Sequence, residues 1–182
     1  MGAAKYYKFK KDITESGMHR AQFKQVARYH GQYDIDDFMF SGNSSVTRII
    51  VQDGTSRLEM SAFIDCPSLK EVILPSSLET VYFDIFSGYG TFHGCNSLEK
   101  VVFFEYPKMF EDFYYILTDE VSYDDEHNPK SAVLMENLYI YIPDEYVDEK
   151  NAEIKANIEQ SEAQGITFVN KRDVYFKPLS EL

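Results

Sequence analysis

Between Ser45 and Phe103 the apolar positions recur in a fixed order. Ser45-Val46, Ile49 and Val51 return as Ser68-Leu69, Val72 and Leu74, and again as Ser97-Leu98, Val101 and Phe103. The first return comes after 23 residues and the second after 29, an insertion of six. Each unit ends in the alternation of a short strand. Pro75 follows the second unit at once and stops it, because proline has no ladder N–H to give. The second half of the unit returns as well: Leu58, Ala62 and Phe63 match Val81, Ile85 and Phe86 at the same 23-residue offset. A unit this short cannot cover its own apolar side, but stacked copies cover one another. The predicted strands pair in parallel about 4.8 Å apart, and connections of roughly 15 residues suffice for parallel crossovers. The expected core is Ile49, Val51, Phe63, Leu69, Val72, Leu74, Phe86, Phe92, Leu98, Val101 and Phe103. Alternation leaves Lys70, Glu71, Ile73, Glu99, Lys100 and Val102 on the exposed side.

The run from Phe63-Ile64-Asp65-Cys66-Pro67-Ser68-Leu69 to Val72-Ile73-Leu74-Pro75 resembles the BspA-like leucine-rich repeat of bacterial surface proteins. Phe92-His93-Gly94-Cys95-Asn96-Ser97-Leu98 with Val101 and Phe103 fits the same pattern, and Val46 to Gly54 fits its strand half without the Cys. Tyr139-Ile140-Tyr141-Ile142-Pro143 resembles the strand that closes such arrays. The resemblance implies an α/β fold: a right-handed, leucine-rich-repeat-like solenoid of short parallel strands. It implies protein recognition or adhesion, and a place at the cell surface or outside the cell. It brings no catalytic residues. The pattern is broken twice. An insertion at 87–92 leaves Tyr89 and Cys95 competing for the Cys place, and residues 104–137 lose the period.

The flanks read as caps, with a helical cap at each end. Residues 1–44 are expected to form an N-terminal cap, the repeats and their irregular insert 104–137 to fill 45–143, and 144–182 to form a C-terminal helical cap, all in one domain. Tyr7 and Phe9 alternate with lysines as in a strand. Thr14 is the expected cap of a helix from Glu15 to His30, stopped by Gly31. Residues 1–33 carry seven basic and two acidic residues; a basic helix invites a membrane or nucleic-acid reading, and covering the open end of the first coil is the reading preferred here. Ser41 to Ser45 is a turn, and Asn43-Ser44-Ser45 also matches a glycosylation acceptor. Asp144 is the expected cap and Gly165 the stop of a second helix, with Val147, Ile154 and Ile158 on one face. Strands are expected at 166–169 and 173–176.

Charge narrows the choice of partners. The chain carries 18 basic and 30 acidic residues, a net charge of −12. Residues 1–57 hold nine basic and six acidic residues, and 58–182 hold nine and 24. So acidic a bulk repels phosphates, and nucleic acid is not an expected partner. No apolar run approaches the length of a membrane span. The start of the chain has no apolar signal segment, which fits either a cytoplasmic protein or a piece of a longer exported one.

Few residues are arranged for chemistry. Cys66 and Cys95 occupy a repeat position and read as small apolar filler, with a disulfide as the competing reading. Cys95 and His93 lack an orienting third group. The four histidines are scattered away from ligand spacing. Asp124-Asp125-Glu126-His127 lacks the glycine and alternating ligands of a calcium loop, and Gly88 to Gly94 misses the spacing of a phosphate loop. No metal or cofactor is expected. The insert combines aromatics with eight acids and one Lys between Glu105 and Glu126. The expectation is a non-enzymatic module that holds a protein ligand, such as a host surface or matrix protein, through Lys70, Glu71, Ile73, Glu99, Lys100 and Val102 with Tyr114, Tyr115 and Tyr123. Two rivals remain: an enzyme, such as a hydrolase, with an acidic site in the insert, and a structural repeat whose ends assemble.

Overall fold

The structure is a computed structural model that describes residues 26–29, 40–51, 54–58, 62–81, 89–106 and 114–182; at 26–29, 114 and 115 it describes the backbone alone. In chain order the strands begin with β1 (Val26–Tyr29), β2 (Arg48–Val51), β3 (Arg57–Leu58), β4 (Glu71–Leu74), β5 (Thr80–Val81) and β6 (Lys100–Phe103). A short helix α1 (Tyr114–Leu117) leads into β7 (Thr118–Tyr123), β8 (Pro129–Leu134) and β9 (Tyr139–Ile142). Helix α2 (Val147–Ala163), β10 (Thr167–Val169) and β11 (Phe176–Pro178) complete the chain.

The main sheet is parallel and ordered β1-β2-β4-β6-β9-β11. Ile49 pairs with Val72, Val72 with Val101, Val101 with Ile140, and Ile140 with Phe176. Those five side chains are fully buried. On the far side of the first coils β3 pairs with β5, setting Leu58 beside Val81 at the 23-residue offset of the repeat. Turns join the coils as well: Thr47 O accepts from Lys70 N at 2.8 Å, Lys70 O from Glu99 N at 3.0 Å, and Glu99 O from Tyr139 N at 2.9 Å. The backbone polar groups left over at each strand start are satisfied by the next coil, as burial requires.

Every expected core residue that lies among the described residues is buried; Phe86 lies outside them. Phe40 belongs to the same stack. Its ring lies 5.5 Å from that of Phe63, which lies 5.2 Å from that of Phe92, with the planes nearly parallel. Phe92 therefore takes the repeat position of Phe63, and the six extra residues fall before it. Cys95 takes the Cys place, since its Sγ donates to Phe63 O at 2.9 Å as Cys66 Sγ does to Phe40 O at 3.0 Å. Tyr89 is exposed and stacks on His93. Both cysteines are free and buried.

Four expectations need correction. The helix expected over Glu15 to His30 gives way at Val26–Tyr29 to β1, which pairs residue for residue with β2; the earlier part of that helix, and the strand at Tyr7 and Phe9, lie outside the described residues. Ladder hydrogen bonds to β2 override a modest helical periodicity there. Tyr139–Ile142 does not end the sheet, because β11 adds beyond it. The last strand starts at Phe176 rather than Asp173, with Pro178 on the edge where a missing N–H is harmless. Asp144 does not cap α2: it opens a 3-10 turn, and its carboxylate accepts from Ser180 N at 3.1 Å.

The described part of the insert 104–137 is folded. β7 and β8 form an antiparallel hairpin, and β10 joins β8 in parallel to make a second sheet ordered β10-β8-β7. Ile116, Leu117, Val121, Ala132 and Leu134 belong to the common core. The turn is built by Asp124, whose Oδ1 accepts from Glu126 N at 2.9 Å and Asn128 N at 2.8 Å. Helix α2 lies against β11 and buries Ile154 and Ile158. Gly165, at φ +95°, ends it in a conformation that suits glycine.

Candidate binding face

Strand alternation gives the main sheet two faces, and register sorts its outer face into two rows. One row runs Arg48, Glu71, Lys100, Tyr139, and the other Ile50, Ile73, Val102, Tyr141, Lys177. Each side chain is set beside its neighbour by the backbone hydrogen bonds of adjoining strands, which lie about 4.8 Å apart. The repeat thus turns residues 23 and 29 positions apart in sequence into adjacent groups.

The polar row is an ion ladder. Arg48 Nε is paired with Glu71 Oε2, and Lys100 Nζ lies 3.6 Å from Glu71 Oε1. Side chains of Arg48 and Lys100 remain 42% and 33% exposed, so their contact with Glu71 leaves them accessible. At the other end the cations sit on aromatic rings. Lys177 Nζ lies 4.0 Å from the Tyr139 ring centre, and the Arg172 guanidinium 4.7 Å from Tyr139 and 4.9 Å from Tyr175. Arg172 also donates to Glu136 O at 2.7 Å and to Leu138 O. Burial pushes its pKa down, and the two tyrosines oppose that shift.

Of the residues expected on this face, Glu71, Ile73 and Lys100 are half-buried side by side, and Lys70 and Glu99 are exposed where the chain enters β4 and β6. Val102 is a correction, at 1% exposure. It is flanked in register by Ile73 and Tyr141, and Lys100, two residues earlier on the same face, leans toward the Tyr141 ring. Tyr123 is exposed near the tip of the hairpin, in the second sheet rather than on this face. Tyr114 and Tyr115 have their backbone in α1. Arg48, Ile50, Tyr139, Tyr141 and Lys177 escaped the sequence reading. The signal for the first four was present: Arg48 stands 23 residues before Glu71, and Tyr139 and Tyr141 alternate with Ile140 and Ile142.

Elsewhere the polar groups hold the fold together. Asp119 joins the hairpin to the second Cys-bearing coil: its Oδ1 lies 3.1 Å from His93 Nδ1 and accepts from Gly94 N at 3.0 Å. Beside it a cleft of about 200 Å³ is lined by Asn96, Asp119, Glu136, Asn137 and Asn170. A second, of about 250 Å³, lies between α2 and the segment before β11, where Lys171 pairs with Glu162. Among the described residues, no three His, Cys, Asp or Glu side chains gather as a metal site. The Cys95 thiol is pushed up by the neighbouring Cys66 sulfur and by burial, which disfavours the thiolate a nucleophile needs. Among the described residues no helix is long and apolar enough to cross a membrane.

A family model described as BspA type Leucine rich repeat region (6 copies) matches residues 11–115. Its match starts well before residue 45, as does the sheet, whose first described strand is β1. None of the curated proteins and none of the solved structures matches the chain.

Proposed function

Because the chain belongs to the BspA-type leucine-rich repeat family, we propose that it is a non-enzymatic binding module that holds a protein ligand, and that its role is adhesive, at a cell surface or outside the cell. The observation that carries this reading is the outer face of the main sheet, where register sets Arg48, Glu71 and Lys100 in one row and Ile50 and Ile73 in the next. A rigid sheet that fixes its side chains before contact spares a binder the ordering cost of mobile ones. Exposed Tyr123 on the hairpin is a second point of contact, since a tyrosine offers a broad apolar ring with a polar tip.

The test is capture of proteins from a surface extract by the immobilised chain. Ile73→Asp, placed in the apolar row, is expected to abolish capture while the melting transition persists. Tyr123→Ala reports on the hairpin in the same assay. Deleting the insert is uninformative, because Ile116, Leu117 and Val121 belong to the core. Capture that survives Ile73→Asp in a folded variant removes the sheet face from the function.

A further inference from the structure

We infer that the partner of the outer sheet face is an acidic segment of a protein, an extended stretch in which carboxylates alternate with apolar side chains. The inference rests on the binding role proposed above and adds the chemistry of the ligand. It follows from where the charges lie. The chain as a whole has 18 basic and 30 acidic residues. The two rows of the outer face, with Arg172 stacked on Tyr139 at their end, hold four cations, Arg48, Lys100, Arg172 and Lys177, against the single carboxylate of Glu71. Lys70 and Glu99, exposed at the strand entries, cancel each other. Among the described residues, this sheet face is a place of net positive charge in an acidic chain.

Glu71 lies between Arg48 and Lys100 and contacts both, so it organises the two cations and leaves the trio with one net positive charge. The row beside them is apolar and largely closed: Ile50 and Ile73 are half-buried, and Val102 and Tyr141 are buried. An arriving ligand therefore meets a shallow apolar strip edged with ammonium and guanidinium groups. Carboxylates of an extended peptide fall on one side at alternate residues, a spacing of about 6.8 Å, while its other side chains face the strip. The positive edge attracts such a segment, and the acidic excess of residues 58–182, 24 acidic against nine basic, disfavours its docking elsewhere on that part of the chain, which confers orientation. A nucleic acid also carries negative charge, but its continuous phosphates would meet that acidic excess over a larger area.

The probe is a synthetic peptide of about a dozen residues alternating Glu with Tyr and Leu, a length that spans the six strands. A matched peptide with Lys in place of Glu and a single-stranded oligonucleotide of equal charge serve as comparisons. Binding is followed by fluorescence anisotropy at low and high salt, and the site by amide chemical-shift changes. The Glu peptide is expected to bind, to shift Ile50, Ile73, Lys100 and Tyr141, and to weaken as salt screens it. Lys100→Glu and Lys177→Glu are each expected to weaken it about ten-fold or more with the fold intact. The milder Lys100→Gln is expected to fall between, which guards against a variant that fails to fold. No binding by the Glu peptide, equal binding by the Lys peptide or the oligonucleotide, or shifts confined to other surfaces overturns the inference. If surface-extract capture is lost in Ile73→Asp but unchanged in Lys100→Glu, the face remains a binding site and only the acidic ligand falls. If both variants capture normally, the sheet face is not the binding site and the inference falls with it; if the native chain captures nothing, the binding role itself falls.

Discussion

Cys95 donates its thiol to the carbonyl of Phe63, one coil back in the chain, at 2.9 Å. Cys66 does the same to Phe40 at 3.0 Å. The two contacts mark the repeat more faithfully than sequence spacing does, because they persist across an insertion of six residues. A small side chain with a weak donor suits an inward position that faces a backbone carbonyl. Both thiols are fully buried, and Cys95 is pushed up. Neither should react with an aromatic disulfide reagent in the native protein at pH 8, at a rate even about a hundredth of that of a free thiol, and both should react once the chain is unfolded in denaturant. Prompt native labelling would mean that the coils open locally and often.

Leu69 lies between Val46 and Leu98 in the same repeat position, and all three are buried. The register that pairs Glu71 with Arg48 and with Lys100 carries Leu69 into line with both neighbours. Leu69→Ala removes side-chain contacts to the coil above and the coil below. The expected cost is about 2–5 kcal/mol in a denaturant titration. A loss under about 1 kcal/mol would mean that the adjoining coils close over the gap.

Gly94 is held at φ +74°, and a Cβ there would stand 2.6 Å from Asp65 Oδ1 and 3.3 Å from Asp65 Cα. The side chain could rotate away, but the backbone of Asp65 cannot, since its N–H donates to His93 O at 2.8 Å. Gly94→Ala therefore meets both conformational strain and a steric one. It should destabilise by more than about 1 kcal/mol, read as a lowered denaturation midpoint with an unchanged slope. A neutral Gly94→Ala would show that the two coils are less tightly docked than these contacts require.

The parts of this fold that sequence exposes are those in which neighbours in space are also regular in sequence. Leu69, Leu98 and the alternation around Val72 and Val101 follow from a period that any reader can count, and they placed Glu71, Ile73 and Lys100 beside one another on the outer face. The misses have a common cause. β1 carries Val26-Ala27-Arg28-Tyr29, which periodicity alone fits equally to a helix; its partner strand β2 decides the matter from more than 20 residues away. The hairpin strand Thr118–Tyr123 buries two of its six residues and shows no clean alternation, because the register shifts within it. Val102 reads as exposed because alternation says which way a side chain points but not what leans over it. Lys177 lies beyond the reach of the period, because β11 joins the sheet only after a connection that contains α2.

That last strand rests on one side chain. Asn151, in the first turns of α2, accepts from Tyr175 N at 2.8 Å and Phe176 N at 3.0 Å through Oδ1, and donates to Phe176 O at 3.0 Å through Nδ2. The amide thus meets the backbone with both of its functional ends, as a paired strand would, on the side that faces the helix. β11 has β9 on one flank only, so this clamp and the burial of Tyr175 and Phe176 are what fix the edge of the sheet. Asn151→Leu keeps a similar volume but leaves these buried backbone groups without partners, at a cost of about 1–3 kcal/mol for each unsatisfied group. Asn151→Asp keeps the acceptor and loses the donor, so it should fall between Leu and the native residue. Amide exchange read by mass spectrometry should show the 172–178 segment opening sooner in both variants, while the segments over β4 and β6 stay protected. Since Lys177 and the Arg172 that stacks on Tyr139 are carried on the same segment, its release should also strip two of the four cations from the outer face. Exchange that is uniform along the main sheet would instead mean that β11 and the repeat unfold together and that Asn151 is only one contact among many.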